Sequence, residues 1–248
     1  MARKSAGRCS IVSGSRRMNL PTSGSGDGRV AVTLYSLAAL SDTMVGVSSA
    51  ALFSRSAECF LDLLGKIPND RWDSPGLGNW TVRSLAGHTA RAILTVESYL
   101  GQEEPGSVTI ESAEAYYSTV YLQFTDAAAV EARGVEAGVW LGGHPVAQVS
   151  AALTRARSAI ESQPENRIVG IGGMGIRLSD YLRTRVLELV VHTIDLSRAT
   201  GIPHTLPEAT IAEAVALMSS TAVRKGSGEV VLRALTGRGA LPEGFSVV

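Results

Sequence analysis

Glu188 and His192 stand four residues apart in the stretch Tyr181–Ala199, YLRTRVLELVVHTIDLSRA. On a helix that spacing puts both side chains on one face, with Cβ atoms about 5–6 Å apart, and lets them reach a common point beyond the helix surface. A carboxylate and an imidazole converging on one point are donors suited to a divalent metal. Arg185, Asp195 and Ala199 continue the same narrow stripe. Leu182, Val186, Leu187, Leu189, Val190, Val191, Ile194 and Leu196 occupy most of the remaining surface. A helix apolar nearly all round is interior, so its charged groups must be paired, protonated or bound to something.

A third ligand follows by elimination. Of the four histidines, His144 lies in a Gly-Pro loop and His204 in a Pro-flanked connector, whereas His88 sits at the edge of an amphipathic helix. Two imidazoles and one carboxylate suit Zn²⁺, Ni²⁺ or Fe²⁺, and three protein ligands leave the open position of a working rather than a structural site. Spacing alone fits equally well an ordinary pair one turn apart together with a satisfied core histidine. The apolar surroundings favour the metal, because a desolvated Glu–His pair is costly and a divalent ion compensates it directly. Asp195 either orients a ligand or pairs with Arg185 or Arg198, the charge pair being the expected arrangement. Arg91 and Arg238 are candidates to meet an anionic substrate. Other chemistry finds no pattern: there is no GxSxG elbow, Walker loop, CxxC or HExxH. Cys59, on an amphipathic helix, reads as a small hydrophobe.

The elements that must hold these residues are helical. Phe53, Ala57, Phe60, Leu61 and Leu64 repeat at helical spacing, so a first helix is expected over Val45–Leu64, closed by Gly65 and Pro68. NDRWDSPGLGN, Asn69–Asn79, is a turn-rich connection with Trp72 tucked against the core. Thr81 caps a second helix running to Leu100 and carrying His88. A third is expected from Ile110 to Arg133, with a core stripe of Tyr116, Tyr117, Val120, Tyr121 and Phe124. Gly138–Pro145 reads as a loop, Val146–Ser162 as a helix, and RIVGIGGMGIRL, Arg167–Leu178, as a strand-like excursion whose glycine spacing is wrong for a dinucleotide site. Ser179 is the expected cap of the Glu188 helix, and Gly201 its C-terminal stop. Thr205-Leu-Pro-Glu208 has the form of a capping box opening a helix to Val223, followed by a short segment Gly228–Gly237 and an extended end. Long helices with a helical C-terminal piece predict an all-α, up-and-down four-helix bundle with its site between facing helices.

Composition bounds the rest. A chain of 248 residues, 45% hydrophobic, supports one principal core. The formal net charge of zero gives no footprint for nucleic acid or an anionic membrane, and no apolar run reaches the ~18–20 residues of a membrane span. Two cysteines, Cys9 and Cys59, make no disulfide framework and fit a reducing compartment, so a cytoplasmic protein is expected, as a monomer or homodimer. Residues 1–43, basic and rich in Ser, Gly and Thr, are expected to be a disordered tail, and Met44 opens the first well-patterned segment.

Three separated blocks, in order, resemble the mycothiol-dependent maleylpyruvate isomerase family of the DinB/YfiT-like superfamily: WDSPGLGNWTVRSLAGHTARAILTVESYL (Trp72–Leu100), LSDYLRTRVLELVVHTIDLSRATG (Leu178–Gly201) and LRALTGRGALPEGFSVV (Leu232–Val248). The resemblance implies a DinB-like metal-binding bundle over residues 44–201, with a helical extension over 202–248 packed on it. It implies zinc held by His88, Glu188 and His192, the set reached by elimination. It also implies mycothiol as thiol cosubstrate, coordinating the metal and attacking an electrophile. For isomerisation, addition to the cis double bond of maleylpyruvate allows rotation before the thiol leaves; related bundles transfer the thiol instead. The alternative is a metal- or small-molecule-binding module without turnover. Two departures stand out. A position often acidic in the family is Ser84 here, and the isomerase carries a further small C-terminal domain where this chain has a short segment. A family arginine near that end corresponds to Arg238.

Overall fold

The computed structural model describes residues 47–124 and 126–248, without the side chains of Leu122 and Phe124. The expectations for the tail, for Val45 and Gly46 of helix one and for the place of Phe124 in the aromatic stripe lie outside the described residues; Val47 and Ser48, expected in that helix, precede it, Ser48 being its cap. Seven helices longer than one turn are described: α1 (Ser49–Leu64), α2 (Val82–Leu100), α3 (Ala127–Trp140), α4 (Pro145–Glu161), α5 (Leu178–Thr200), α6 (Glu208–Arg224) and α7 (Gly228–Leu235). The one sheet described is a hairpin of β1 (Ile168–Ile171) and β2 (Met174–Arg177). The expected all-α bundle is therefore what the chain forms. Among the described residues no helix is long and apolar enough to cross a membrane.

The bundle is a ring in which α1 and α2 each pack on both α4 and α5, so chain neighbours α1 and α2 lie across a diagonal. α5 is the most engaged element, touching α1, α2, α6 and the hairpin. Its Leu182, Val186 and Leu189 are buried among Phe53, Phe60, Leu85 and Ile93. Burial of each such side chain contributes about 1.5–3 kcal/mol relative to exposure. Trp72 is buried as expected, with Arg83 stacked over its ring. α6 packs on α5 and α1, and α7 on α6.

Several local expectations are corrected. The span Ile110–Arg133 is not one helix: a single α-turn (Ala113–Ala115) runs into a π-helical turn (Tyr116–Val120) and a 3₁₀ turn (Tyr121–Phe124), and Asp126 caps a new helix by accepting from the Ala129 N–H at 2.8 Å. An α-helix turns adjacent residues about 100° apart, whereas here the neighbours Tyr116 and Tyr117 are both buried. The widened turn accommodates that. Gly138 is not loop but helix, because α3 crosses α2 so closely that a Cβ on Gly87 would lie 2.2 Å from the Gly138 nitrogen. Ser179 does not cap α5: β2 runs directly into the helix, whose cap residue is Arg177, and the Leu178 N–H is already taken by the Arg167 carbonyl. The Thr205–Glu208 capping box does not form either. Pro207 occupies the cap with no side-chain bond, and Thr205 instead offers its carbonyl to the Cys59 thiol. Thr81, by contrast, caps α2 as expected, and Gly201 closes α5 in the left-handed conformation at φ 71°. The strand-like excursion is the hairpin, closed by Gly172 and Gly173 at φ 55° and 83°, the two-residue turn that needs positive φ twice.

Candidate metal centre

His88 comes from α2, and Glu188 and His192 from α5. The packing of these two helices brings one ligand atom of each residue within 4.8 Å of the others. The His88 and His192 rings meet edge to face, centroids 4.8 Å apart. Trp80, just before the Thr81 cap, lies 4.5 Å from the His88 ring centroid and donates its indole N–H to the Glu131 carbonyl of α3. Gly134 makes room for this ring: a Cβ there would be 2.6 Å from the indole. The close crossing of α2 and α3 thus packs the residue behind His88.

Glu188 is held from two sides. Its Oε2 lies 3.3 Å from His192 Nε2, and its Oε1 accepts from the Tyr117 hydroxyl at 3.0 Å. Tyr117 shares that proton with the Thr184 carbonyl at 3.2 Å. The π-turn delivers this tyrosine, which sequence reasoning assigned only to the core. Its signal was the adjacent pair Tyr116-Tyr117, too many rings for one helix face. Asp195 Oδ2 lies 3.1 Å from His192 Nδ1. The expected pairing of Asp195 with Arg185 or Arg198 is not what is found; its carboxylate is paired with the His192 ring, on the nitrogen away from Glu188, a placing that carboxylates also have behind histidines in many metal sites.

Electrostatics follow from this geometry. Burial opposes charge on Glu188, but the hydrogen bond with His192 and the nearby Arg185 guanidinium outweigh it and hold the carboxyl at about 2. Burial likewise opposes charge on His192, and its bonds to Asp195 and Glu188 raise it to about 9. His88 is pushed down to about 4 by burial and by His192. Without a metal, then, one proton on His192 bridges towards Glu188, and His88 stays neutral.

The residues fit a divalent ion by the chemistry of the donor set, two imidazoles and a carboxylate, with Glu188 and His192 held by hydrogen bonds and His88 by stacking. His88 is the least supported of the three: its Nδ1 is buried with no hydrogen-bond partner among the described residues, a costly state for a ring nitrogen. Ser84, one turn before His88, does not serve it; its hydroxyl is engaged by Thr81.

The triad lies on the wall of a cavity of about 350 Å³ whose lining also includes Arg91, Tyr99, Tyr116, Tyr181 and Arg185, a size that suits a small ligand. Ile171 and Gly172 of the hairpin and Val130 of α3 close its sides. Arg91 is therefore brought to the site, as its candidacy required. Arg238 is not: it is exposed, donates to the Thr236 carbonyl at 3.1 Å and does not line the cavity. His144 is exposed at the cap of α4, and His204 accepts from the Leu206 N–H in the connector to α6, so neither competes as a ligand. Cys59 bonds to the Thr205 carbonyl, and burial pushes its thiol up, the reverse of activation.

The family model described as mycothiol maleylpyruvate isomerase N-terminal domain matches residues 53–197. That span carries α1 to α5 and all three candidate ligands. No curated protein and no solved structure matches the chain.

Proposed function

The chain belongs to the mycothiol maleylpyruvate isomerase N-terminal domain family, and from that membership we propose that it is a zinc-dependent enzyme using mycothiol as thiol cosubstrate, of the isomerase or thiol S-transferase type. The observation that carries this reading is the convergence of His88, Glu188 and His192 on the wall of one cavity. A divalent ion held there supplies Lewis acidity that lowers the pKa of a thiol, making it a nucleophile at neutral pH.

The chain's own groups do the positioning. Tyr117 fixes one oxygen of Glu188 and leaves the other free to face the histidines. Asp195 fixes the His192 ring and its tautomer, so that Nε2 points to the shared centre. Trp80 backs His88. The hairpin tip, Tyr121 and α3 narrow the opening and limit water around the reacting atoms. The electrophile occupies the aromatic part of the cavity next to the triad, where Tyr99, Tyr116 and Tyr181 offer apolar faces with polar tips. The same reading makes the protein a cytoplasmic, small-molecule enzyme with no nucleic-acid or membrane partner.

The test is turnover. Zinc-loaded protein incubated with an electrophile such as maleylpyruvate should consume it only when mycothiol is present, and the His192→Ala variant should not. Consumption that is independent of mycothiol, or equal in the variant, would overturn the proposal. Zinc uptake with no turnover across a panel of electrophiles would favour a binding module instead.

A further inference from the structure

The cavity carries cationic side chains beside the candidate metal ligands. Arg91 lies three residues beyond His88 on α2, and Arg185 three residues before Glu188 on α5. Each therefore enters the cavity about 4.5 Å along its helix axis from a triad residue, and both line it. Among the described residues no carboxylate comes within ion-pair distance of either guanidinium. Arg185 has the Thr184 hydroxyl at 3.1 Å from its Nε, the Tyr116 hydroxyl, and the Tyr181 ring face, 5.2 Å from the guanidinium carbon to the ring centroid.

A guanidinium cannot shed its charge and offers five donors in a fixed fork. A cavity wall bearing two of them with no carboxylate at ion-pair distance, and with Glu188, the acid that acts on Arg185, itself a candidate metal ligand, is costly unless an anion completes it. Contrast Arg183, two residues before Arg185 and so on the opposite side of α5, which is held by Glu114, Asp180 and Glu213. The chain sets carboxylates at ion-pair distance where it uses arginine for structure, whereas at the cavity the carboxylates nearest in effect, Glu188 for Arg185 and Glu136 for Arg91, are not at ion-pair distance. Beyond the arginines the far end is closed: the Tyr99 and Tyr181 rings lie 5.9 Å apart, and the Tyr181 hydroxyl donates to Thr95 at 2.9 Å.

We propose that Arg91 and Arg185 form an anion subsite that holds the carboxylate of a small-molecule ligand about one helical turn from the atom facing His88, Glu188 and His192. The subsite rests on the proposed function only for what that atom does. Its chemistry, a carboxylate clamped by two guanidinium groups, is shared by two sources: an electrophile that is a carboxylic acid, which the proposed function requires because mycothiol bears no carboxylate, or a carboxylate-bearing thiol used in mycothiol's place.

The experiment is calorimetric titration of benzoate and of benzamide, its uncharged analogue, into zinc-treated parent, Arg91→Gln, Arg185→Gln and His192→Ala proteins, with zinc content measured on each sample. Benzoate should bind the parent in preference to benzamide, and each arginine variant should weaken benzoate ~10-fold or more, the worth of a hydrogen bond to a charged group. Zinc content should be unchanged in both arginine variants. His192→Ala, though stripped of zinc, should keep arginine-dependent benzoate binding. Should the interior Arg185→Gln variant fail to fold, Arg91→Gln decides the matter alone. Equal benzoate binding in parent and arginine variants would overturn the subsite, as would binding lost only in His192→Ala, which would put the carboxylate on the metal. Arginine-dependent binding in a parent that takes up no zinc would sink the metal mechanism and leave the subsite standing. Glutathione, whose carboxylates belong to the thiol, separates the sources: arginine-dependent competition by glutathione against benzoate assigns the subsite to the thiol, and its absence assigns it to the electrophile.

Discussion

At the scale of single residues, the candidate centre is a triad whose support is uneven. Glu188 has Tyr117 and His192 has Asp195, but His88 Nδ1 has no partner. Outer partners of metal ligands typically change affinity 10–100-fold, so Tyr117→Phe should weaken zinc binding by about 10-fold or more while costing only ~1 kcal/mol of stability. Competition against a chromophoric chelator, together with a urea melt, measures both; unchanged affinity would remove Tyr117 from the site. Ser84→Asp is the converse. It puts a carboxylate one turn before His88, at a helix start where an acidic side chain is also favoured, and zinc affinity should rise by about 10-fold. No gain in the chelator assay would show that His88 Nδ1 lies out of its reach. The triad itself was legible in the sequence, because spacing on α5 and the placing of only four histidines left few choices. Tyr117 and the role of Asp195 were not: nothing in an amphipathic pattern announces a π-turn, and an aspartate flanked by arginines at helical spacing looks like a charge pair until the ring beside it is placed.

At the scale of elements, two devices hold the cavity's walls. The first is the contact of α3 on α2 through Gly87, Gly134 and Gly138. Gly87→Ala drives a Cβ into the α3 backbone, where no flexible side chain can yield, so it should destabilise by ~1–3 kcal/mol or more and loosen the wall bearing Val130. A urea melt with no loss of stability would contradict so close a crossing. The sequence offered this contact as a Gly-rich loop, since glycine at close helix contacts and glycine in turns look alike without a partner helix. The second device is Arg183, which ties Glu114 of the aromatic segment and Glu213 of α6 to α5. Burial works against the Glu114 charge, but the Arg183 hydrogen bond prevails and holds its carboxyl below the ordinary range. A carboxyl with a lowered folded pKa adds stability above its unfolded value of about 4.3 and loses it as pH falls through the lowered value. Parent and Glu114→Gln should therefore differ most in melting temperature near neutral pH and converge in acid. A gap that widens as the pH falls would refute the assignment.

At the scale of the molecule, the fold is a bundle wrapped around α5, and the site is what that helix presents to α2. The sequence carried this outline well, because the apolar surface of Tyr181–Ala199 has no reading other than an interior helix. It did not carry the diagonal placing of α1 and α2 or the hairpin's part in closing the cavity, which arise from contacts between distant segments rather than from periodicity. Arg238 belongs to the same class: its place between a short segment and an extended end said nothing of whether that part of the chain reaches the site, and it does not line the cavity. The central claim is that His88, Glu188 and His192 bind a metal, and metal analysis by inductively coupled plasma mass spectrometry tests it most directly. Untagged parent protein is compared with His88→Ala and His192→Ala, all confirmed as folded by circular dichroism. Near-stoichiometric zinc is expected in the parent and its loss in both variants. A folded parent that stays metal-free after zinc is supplied, or variants that retain zinc at the parent's level, would contradict it.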